Sequence, residues 1–112
     1  MEAEGARVHA TTRGDARAAA SSGGAASRVW HRLDFAEPRA VDSLYASVRP
    51  DFVFHLAGLV KGARDRALVL PALEANLTAT VRLLDAAAAH GCRRRFVQIG
   101  SLEEPPIDQP AL

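Results

Sequence analysis

The stretch Asp51 to Gly58, DFVFHLAG, decides how the chain is read. An acidic residue opens it, a nearly unbroken apolar run follows, and it closes on the small pair Ala57-Gly58. The apolar positions do not alternate. A strand with one solvated face alternates apolar and polar; a continuous apolar run marks a strand covered by helices on both faces of a parallel sheet. Small residues at such a tip let backbone approach a ligand closely.

The flanking segments fit the same architecture. Ala6 to Thr12 is predicted as a short strand, with Val8 and Ala10 on one face. Gly14 to Ser27, GDARAAASSGGAAS, is small and polar and predicts a flexible connection rather than an element. Val29 to Leu33 is a second strand, closed by Asp34. Glu37 to Val48 carries Val41, Leu44, Tyr45 and Val48 at helical spacing, with Pro38 in the first turn and Pro50 past the end. After the loop Gly58 to Arg66, a helical stripe of Leu73, Asn76, Leu77, Thr80, Val81, Leu84 and Ala88 ends at Gly91. Pro71 marks its start or a kink. Arg95 to Ile99 is the fourth strand, ending at Gly100-Ser101.

The order β-β-α-β-α-β predicts an α/β fold, a partial doubly wound parallel sheet with right-handed crossovers. Ligands in such sheets bind beyond the carboxyl ends of the strands. The tips to inspect are therefore Thr12-Arg13, Asp34-Phe35, Ala57-Gly58 and Gly100-Ser101.

Composition narrows the functional classes. At 112 residues the chain fits one small domain; residues 1–104 read as that domain and 105–112 as an irregular, proline-rich tail. A net charge of +1 gives no long-range attraction to nucleic acid or membrane. Arg93-Arg94-Arg95 lacks aromatic interleaving and reads as a solvated cluster facing a helix C-terminus. The single cysteine, Cys92, excludes an internal disulfide and a multi-cysteine metal site. No apolar h-region opens the sequence, and no unbroken apolar run approaches the roughly 18 residues of a membrane span. The sequon Asn76-Leu77-Thr78 reads as accidental without a secretory route. The expectation is a cytoplasmic protein.

HRLDF, RPDFVFHLAG, ANLTATVRLLDAAAAHG and RFVQIGS follow one another with short connections. Together they resemble the NAD(P)-dependent epimerase/dehydratase family, the extended branch of the short-chain dehydrogenase/reductases, over roughly Ala6 to Glu104. The resemblance implies the middle of a Rossmann domain, and NAD or NADP as cofactor. Neither the family's GxxGxxG phosphate turn nor its YxxxK pair occurs in these residues; the only tyrosine, Tyr45, has no lysine four positions on.

Each site residue carries two readings. Asp34 is a turn former or helix cap, or, as the family implies, an acceptor for the adenine amino group with the Phe35 backbone beside it. Arg13 is a solvated arginine, or a partner for a 2′-phosphate that would favour NADP. Leu56, Ala57 and Gly58 are a plain turn, or the floor beneath the cofactor's ribose and pyrophosphate. His55 reads as a packed strand residue, and Lys61 and Arg64 as solvated loop cations. Asn76, costly if buried unpaired, is polar glue between helix and backbone, and secondarily a cofactor-site residue. Ser101 matches the family's active-site Ser/Thr, although Glu104-Pro105 stands where Tyr-Gly is common. Glu103 and Glu104 read as solvated acids.

The resemblance implies hydride transfer on a nucleotide-sugar-like substrate as the parent chemistry. Without Tyr and Lys, Ser101 has no acid/base partner, so these residues alone are expected to be inactive. The competing expectation is a non-catalytic α/β module that needs a partner chain, or that self-associates through an uncovered sheet edge.

Overall fold

Parallel pairing organises the strands. The computed structural model describes residues 5–22, 28–61 and 64–100. β1 (His9–Thr12) pairs in parallel with β2 (Val29–Arg32), and β3 (Phe52–His55) with β4 (Arg95–Gln98). Thr11 lies opposite His31, and Phe54 opposite Val97. These are two two-stranded sheets rather than one continuous sheet, and no ladder among the described residues joins β1 to β3. The parallel α/β class is as expected.

Within the link between β1 and β2, Ala16–Ser22 is helical, which corrects the flexible connection expected there. α1 (Ala16–Ser22) has the sequence ARAAASS. Alanine is the strongest helix former, and the Asp15 side chain starts the turn by accepting the Arg17 N–H at 2.8 Å. With no large apolar residue in the helix, hydrophobic periodicity has nothing to register. α1 packs on both β1 and β2. The order is therefore β-α-β-α-β-α-β, counting the long helical stretch below as one element.

α2 (Pro38–Val48) begins with proline at a position that needs no N–H bond, and ends where Arg49 turns left-handed at φ 49°. The long stretch before β4 is built in pieces. A 3₁₀ turn (Arg66–Leu68) leads into α3 (Val69–Ala72), a π-helical segment (Leu73–Thr78) and α4 (Ala79–His90). Pro71 lies inside α3, near the helix start, where its missing N–H costs little. Taken as a window instead of an unbroken run, 18 residues of the helical stretch Arg66–His90 are apolar enough to cross a membrane by length and composition, with mean hydropathy 1.3 and 11% of the window buried. That was not foreseen from the sequence.

The core lies between α2 and α4. Leu33, Val41, Tyr45, Leu83 and Ala86 are buried together, with Phe35, Val53 and Phe96 packed against them. Leu33 follows β2, while Val53 and Phe96 belong to β3 and β4. The helix pair thus ties the two strand pairs together. The opposite face of β3 is bare: Phe52 and Phe54 are about half exposed. So is a helical stripe of Leu70, Leu73, Leu77, Val81 and Leu84, whose exposure runs from 48% to 73%.

Tyr45 is 3% exposed, and its hydroxyl has no hydrogen-bond partner among the described residues. Burial, with Cys92 nearby, pushes its pKa up to about 12. Removing an unsatisfied buried hydroxyl relieves a desolvation cost of about 1–3 kcal/mol. Tyr45→Phe is therefore expected to unfold at equal or higher urea concentration. The unfolded chain loses its phenolic proton near pH 10 while the folded chain keeps it, so native stability falls as pH rises above 10. That alkaline loss should shrink in Tyr45→Phe, as urea melts at pH 8 and 10.5 would measure.

Candidate functional site

An open cleft of about 450 Å³ gathers the strand tips of both sheets. Thr11, Thr12 and Arg13 come from the end of β1, Leu33 to Ala36 from the end of β2, and Leu56 to Gly58 from the end of β3. Pro71, Glu74 and Ala75, from the long helical stretch, close the side above the β3 tip. Three of the four tips singled out in the sequence thus meet in one place. Ser101, Glu103, Glu104 and the tail 105–112 lie outside the described residues.

The β2 tip is set by Asp34. Its Oδ1 accepts the Ala36 N–H at 2.9 Å, and its backbone carbonyl accepts the Glu37 N–H at 3.1 Å. This is an Asx turn leading into α2, so the turn-forming reading of Asp34 is realised. Among the described residues no hydrogen bond engages its second carboxylate oxygen, and the side chain is exposed on the cleft wall. Phe35 beside it lines the cleft and packs edge-on to His55, with ring centroids 6.0 Å apart. Arg13 also lines the cleft and is exposed.

The β3 tip is held from the helix. Asn76 is not among the cleft-lining residues; it is the glue expected of it. Its Oδ1 accepts the Leu59 N–H at 2.7 Å, and its Nδ2 donates to the Leu59 carbonyl at 3.1 Å. A Cβ at Gly58 would stand 3.0 Å from Asn76 Oδ1, a tight contact that Asn76 would have to yield to, so the space there favours glycine. The π-helical turn that carries Asn76 is a rare geometry, frequently found at functional sites.

His55 is 4% exposed, one residue before this tip. It sits between Phe35 and Phe96, and its Nε2 lies 3.1 Å from Thr80 Oγ1. Burial holds its pKa below the usual histidine value. His9 is lowered too, by burial first, then by His31 and Arg7. Its Nδ1 is 2.8 Å from His31 Nε2 across the β1–β2 pair, so one ring donates a proton to the other. Both depressed histidines act in one direction. As pH falls below the model-peptide value of about 6.5, the unfolded chain takes up protons that the folded chain resists, and stability is lost. The urea midpoint should be lower at pH 5 than at pH 7.5, and the drop should be smaller in a His9→Asn/His55→Gln double variant.

The sequence assigns Pro71, Glu74, Ala75 and Thr80 no site role, though it places Pro71 at a helix start or kink and Thr80 on the helical stripe. Glu74 and Thr80 flank Asn76 on the helix, and Asn76 spacing was the available signal. Glu74 is paired with Arg82 at 3.2 Å, which offsets its charge at the cleft. Lys61 and Arg64 are exposed and stand apart from the cleft-lining set. Among the lining residues Arg13 is the one cation, beside two acids in the lining, Asp34 and Glu74. That charge balance suits a nucleoside better than a pyrophosphate, which favours cations and clustered N–H donors. No group of three or more potential metal ligands occurs among the described residues.

Comparison with known proteins bears on this geometry. A model of the NAD dependent epimerase/dehydratase family matches residues 1–111. UDP-glucose 4-epimerase 2 of Oryza sativa subsp. japonica is 34% identical over 66 residues, covering 59% of this chain and 16% of that protein. UDP-glucose 4-epimerase GEPI48 of Cyamopsis tetragonoloba is 32% identical over 65 residues, covering 58% of this chain and 19% of that protein. The chain thus spans less than a fifth of these curated relatives. A short-chain dehydrogenase/reductase from Vibrio parahaemolyticus superposes with a TM-score of 0.71 at 19% identity, over 87% of this chain and 50% of that one. A mutated uronate dehydrogenase gives 0.56 at 21% identity, over 82% and 38%. Both structures share the fold.

Proposed function

Because the chain belongs to the NAD dependent epimerase/dehydratase family, we propose that its cleft holds the adenosine half of a nicotinamide dinucleotide. One observation carries the reading: the tips of β1, β2 and β3, from two separate sheets, converge on a single cleft with a small-residue floor. In it, the uncommitted oxygen of Asp34 accepts from the adenine amino group, with Phe35 against the ring. Leu56, Ala57 and Gly58 form the floor under the ribose. Arg13 pairs with a 2′-phosphate where NADP is the cofactor. Asn76 supports the floor without touching the dinucleotide, and Ser101 contributes a hydroxyl on the substrate side.

The bound nicotinamide ring supplies hydride transfer. The substrate we propose is a nucleotide-sugar-like alcohol or ketone, a reading supported by relatives named as UDP-glucose 4-epimerases. These 112 residues contain neither GxxGxxG nor YxxxK, so we assign them adenosine binding and no turnover of their own. We propose a cytoplasmic location, no nucleic-acid partner and no membrane contact; one face of α4, with Leu83 and Ala86, packs into the core, which supports a helix docked on the domain.

Calorimetric titration tests this with NAD, NADP, ADP-ribose and nicotinamide mononucleotide. The expected result is binding of the first three with similar, weak affinity and none of the fourth. Failure of all three adenosine ligands at millimolar concentration, or turnover by these residues alone, would overturn the assignment.

A second reading has its own support. The bare Phe52–Phe54 face, the exposed stripe on the long helical stretch and the unladdered edges of β1 and β3 favour a module that needs a partner chain or self-associates. Sedimentation as a monomer across the micromolar range would count against it.

A further inference from the structure

Two side chains on consecutive turns of one helical stretch hold both ends of the β3 tip. Asn76 and Thr80 are four positions apart, which stacks them on one face. Asn76 grips the far end through both backbone groups of Leu59. Thr80 grips the near end through His55. Leu56, Ala57 and Gly58, the floor of the cleft, lie between the two grips.

The protons in this network are determined by its donors and acceptors. Thr80 Oγ1 lies 2.6 Å from the Asn76 carbonyl oxygen and 3.1 Å from His55 Nε2. A carbonyl can only accept, so the single hydroxyl proton of Thr80 goes to Asn76. The other contact must then run from His55 Nε2–H to the Thr80 oxygen. His55 is thereby fixed with its proton on Nε2, and its ring orientation is fixed too. That ring backs Phe35, the aromatic wall contributed by the β2 tip. One hydroxyl therefore sets the β3 tip and the adjoining wall together.

We propose that Thr80, acting through the Nε2–H tautomer of His55, is a positioning residue for the dinucleotide floor. What the floor holds rests on the cofactor reading above; the clamp itself does not. A hydroxyl that accepts from a ring and donates to a carbonyl cannot be replaced by the isosteric Val, whereas Ser keeps both bonds.

The test is nitrogen-15 NMR of the imidazole rings, joined to amide exchange and ADP-ribose titration on the full 112-residue chain. The native chain should show His55 as the neutral Nε2–H tautomer at pH 7. Thr80→Val should mix the tautomers, speed exchange of the Gly58 and Leu59 amides at least tenfold, and weaken ADP-ribose binding fivefold or more. Thr80→Ser should restore all three. A dominant Nδ1–H tautomer or a charged ring in the native chain overturns the proposal, as does a folded Thr80→Val with unchanged exchange. Should Thr80→Val not fold, the native tautomer and the Thr80→Ser exchange pattern decide the matter. Native clamp signatures without any ADP-ribose binding overturn the cofactor reading and not the clamp.

Discussion

Gly58→Val should abolish measurable dinucleotide binding, with a fall of at least tenfold, and should lower stability by about 2–3 kcal/mol. The reason is local. The first added carbon already stands 3.0 Å from Asn76 Oδ1. That oxygen has little freedom to give, because it accepts the Leu59 N–H at 2.7 Å. A branched side chain must push Asn76 away and break both of its bonds to Leu59, while its methyl groups rise into the floor of the cleft. The mechanism makes a further claim about coupling. In an Asn76→Ala background the obstacle is already gone, so Gly58→Val should cost much less stability there. A double-mutant cycle by urea unfolding measures this, and strict additivity of the two changes would exclude a clash as the cause.

Leu83→Ala is expected to destabilise the chain by about 2–4 kcal/mol, the range for a buried leucine truncated in a packed core. Leu83 packs with Leu33, Val41 and Tyr45 between α2 and α4. No strand ladder joins the two sheets among the described residues, so this helix pair carries the connection between them. For a small domain with a total of about 5–15 kcal/mol, the loss is a large share. It should also take the cleft apart, since the walls at β1 and β2 and the floor at β3 belong to different sheets. Circular dichroism melts should show one cooperative transition at lower temperature, with ADP-ribose binding lost in parallel. Retained binding in a chain destabilised to that extent would mean that the cleft does not depend on the helix pair.

The sequence made the strands legible because DFVFHLAG and its neighbours obey a simple rule. An apolar run closed by small residues marks a strand and its tip, but the cover on both faces that the unbroken run predicted is not seen: Phe52 and Phe54 are about half exposed, so one face of β3 is bare. The helix Pro38–Val48 was readable from Val41, Leu44, Tyr45 and Val48. For the long helical stretch only the element was: the predicted stripe of Leu73, Leu77, Val81 and Leu84 is about half exposed, and Ala79, Leu83 and Ala86 are the buried positions of α4. α1 was not readable. A helix made of Ala, Arg and Ser has the right propensity and no pattern, so composition alone resembles a linker. The continuity of the long helical stretch through Pro71 was likewise hidden, because proline is disruptive only where its N–H is needed.

The site was legible in part for the same reason. Arg13, Asp34, Phe35 and the Leu56–Gly58 tip could be placed from topology alone, and they do line one cleft. Asn76 could be recognised as a polar residue on an apolar stripe, but not its partner Leu59, which is a backbone contact that no pattern encodes. Thr80 was counted as one more stripe position. Its role depends on distances to His55 and to the Asn76 carbonyl, which only the folded chain defines. The charge balance around the cleft is also a tertiary property, because Glu74 and Arg82 are eight positions apart and meet across the π-helical turn.

The account stands most directly on a chemical-shift map of the chain titrated with AMP. It predicts amide shifts confined to Thr11–Arg13, Asp34–Ala36 and Leu56–Leu59, with little movement along α1 or the Phe52–Phe54 face. Shifts centred elsewhere, or none at millimolar AMP, would contradict it.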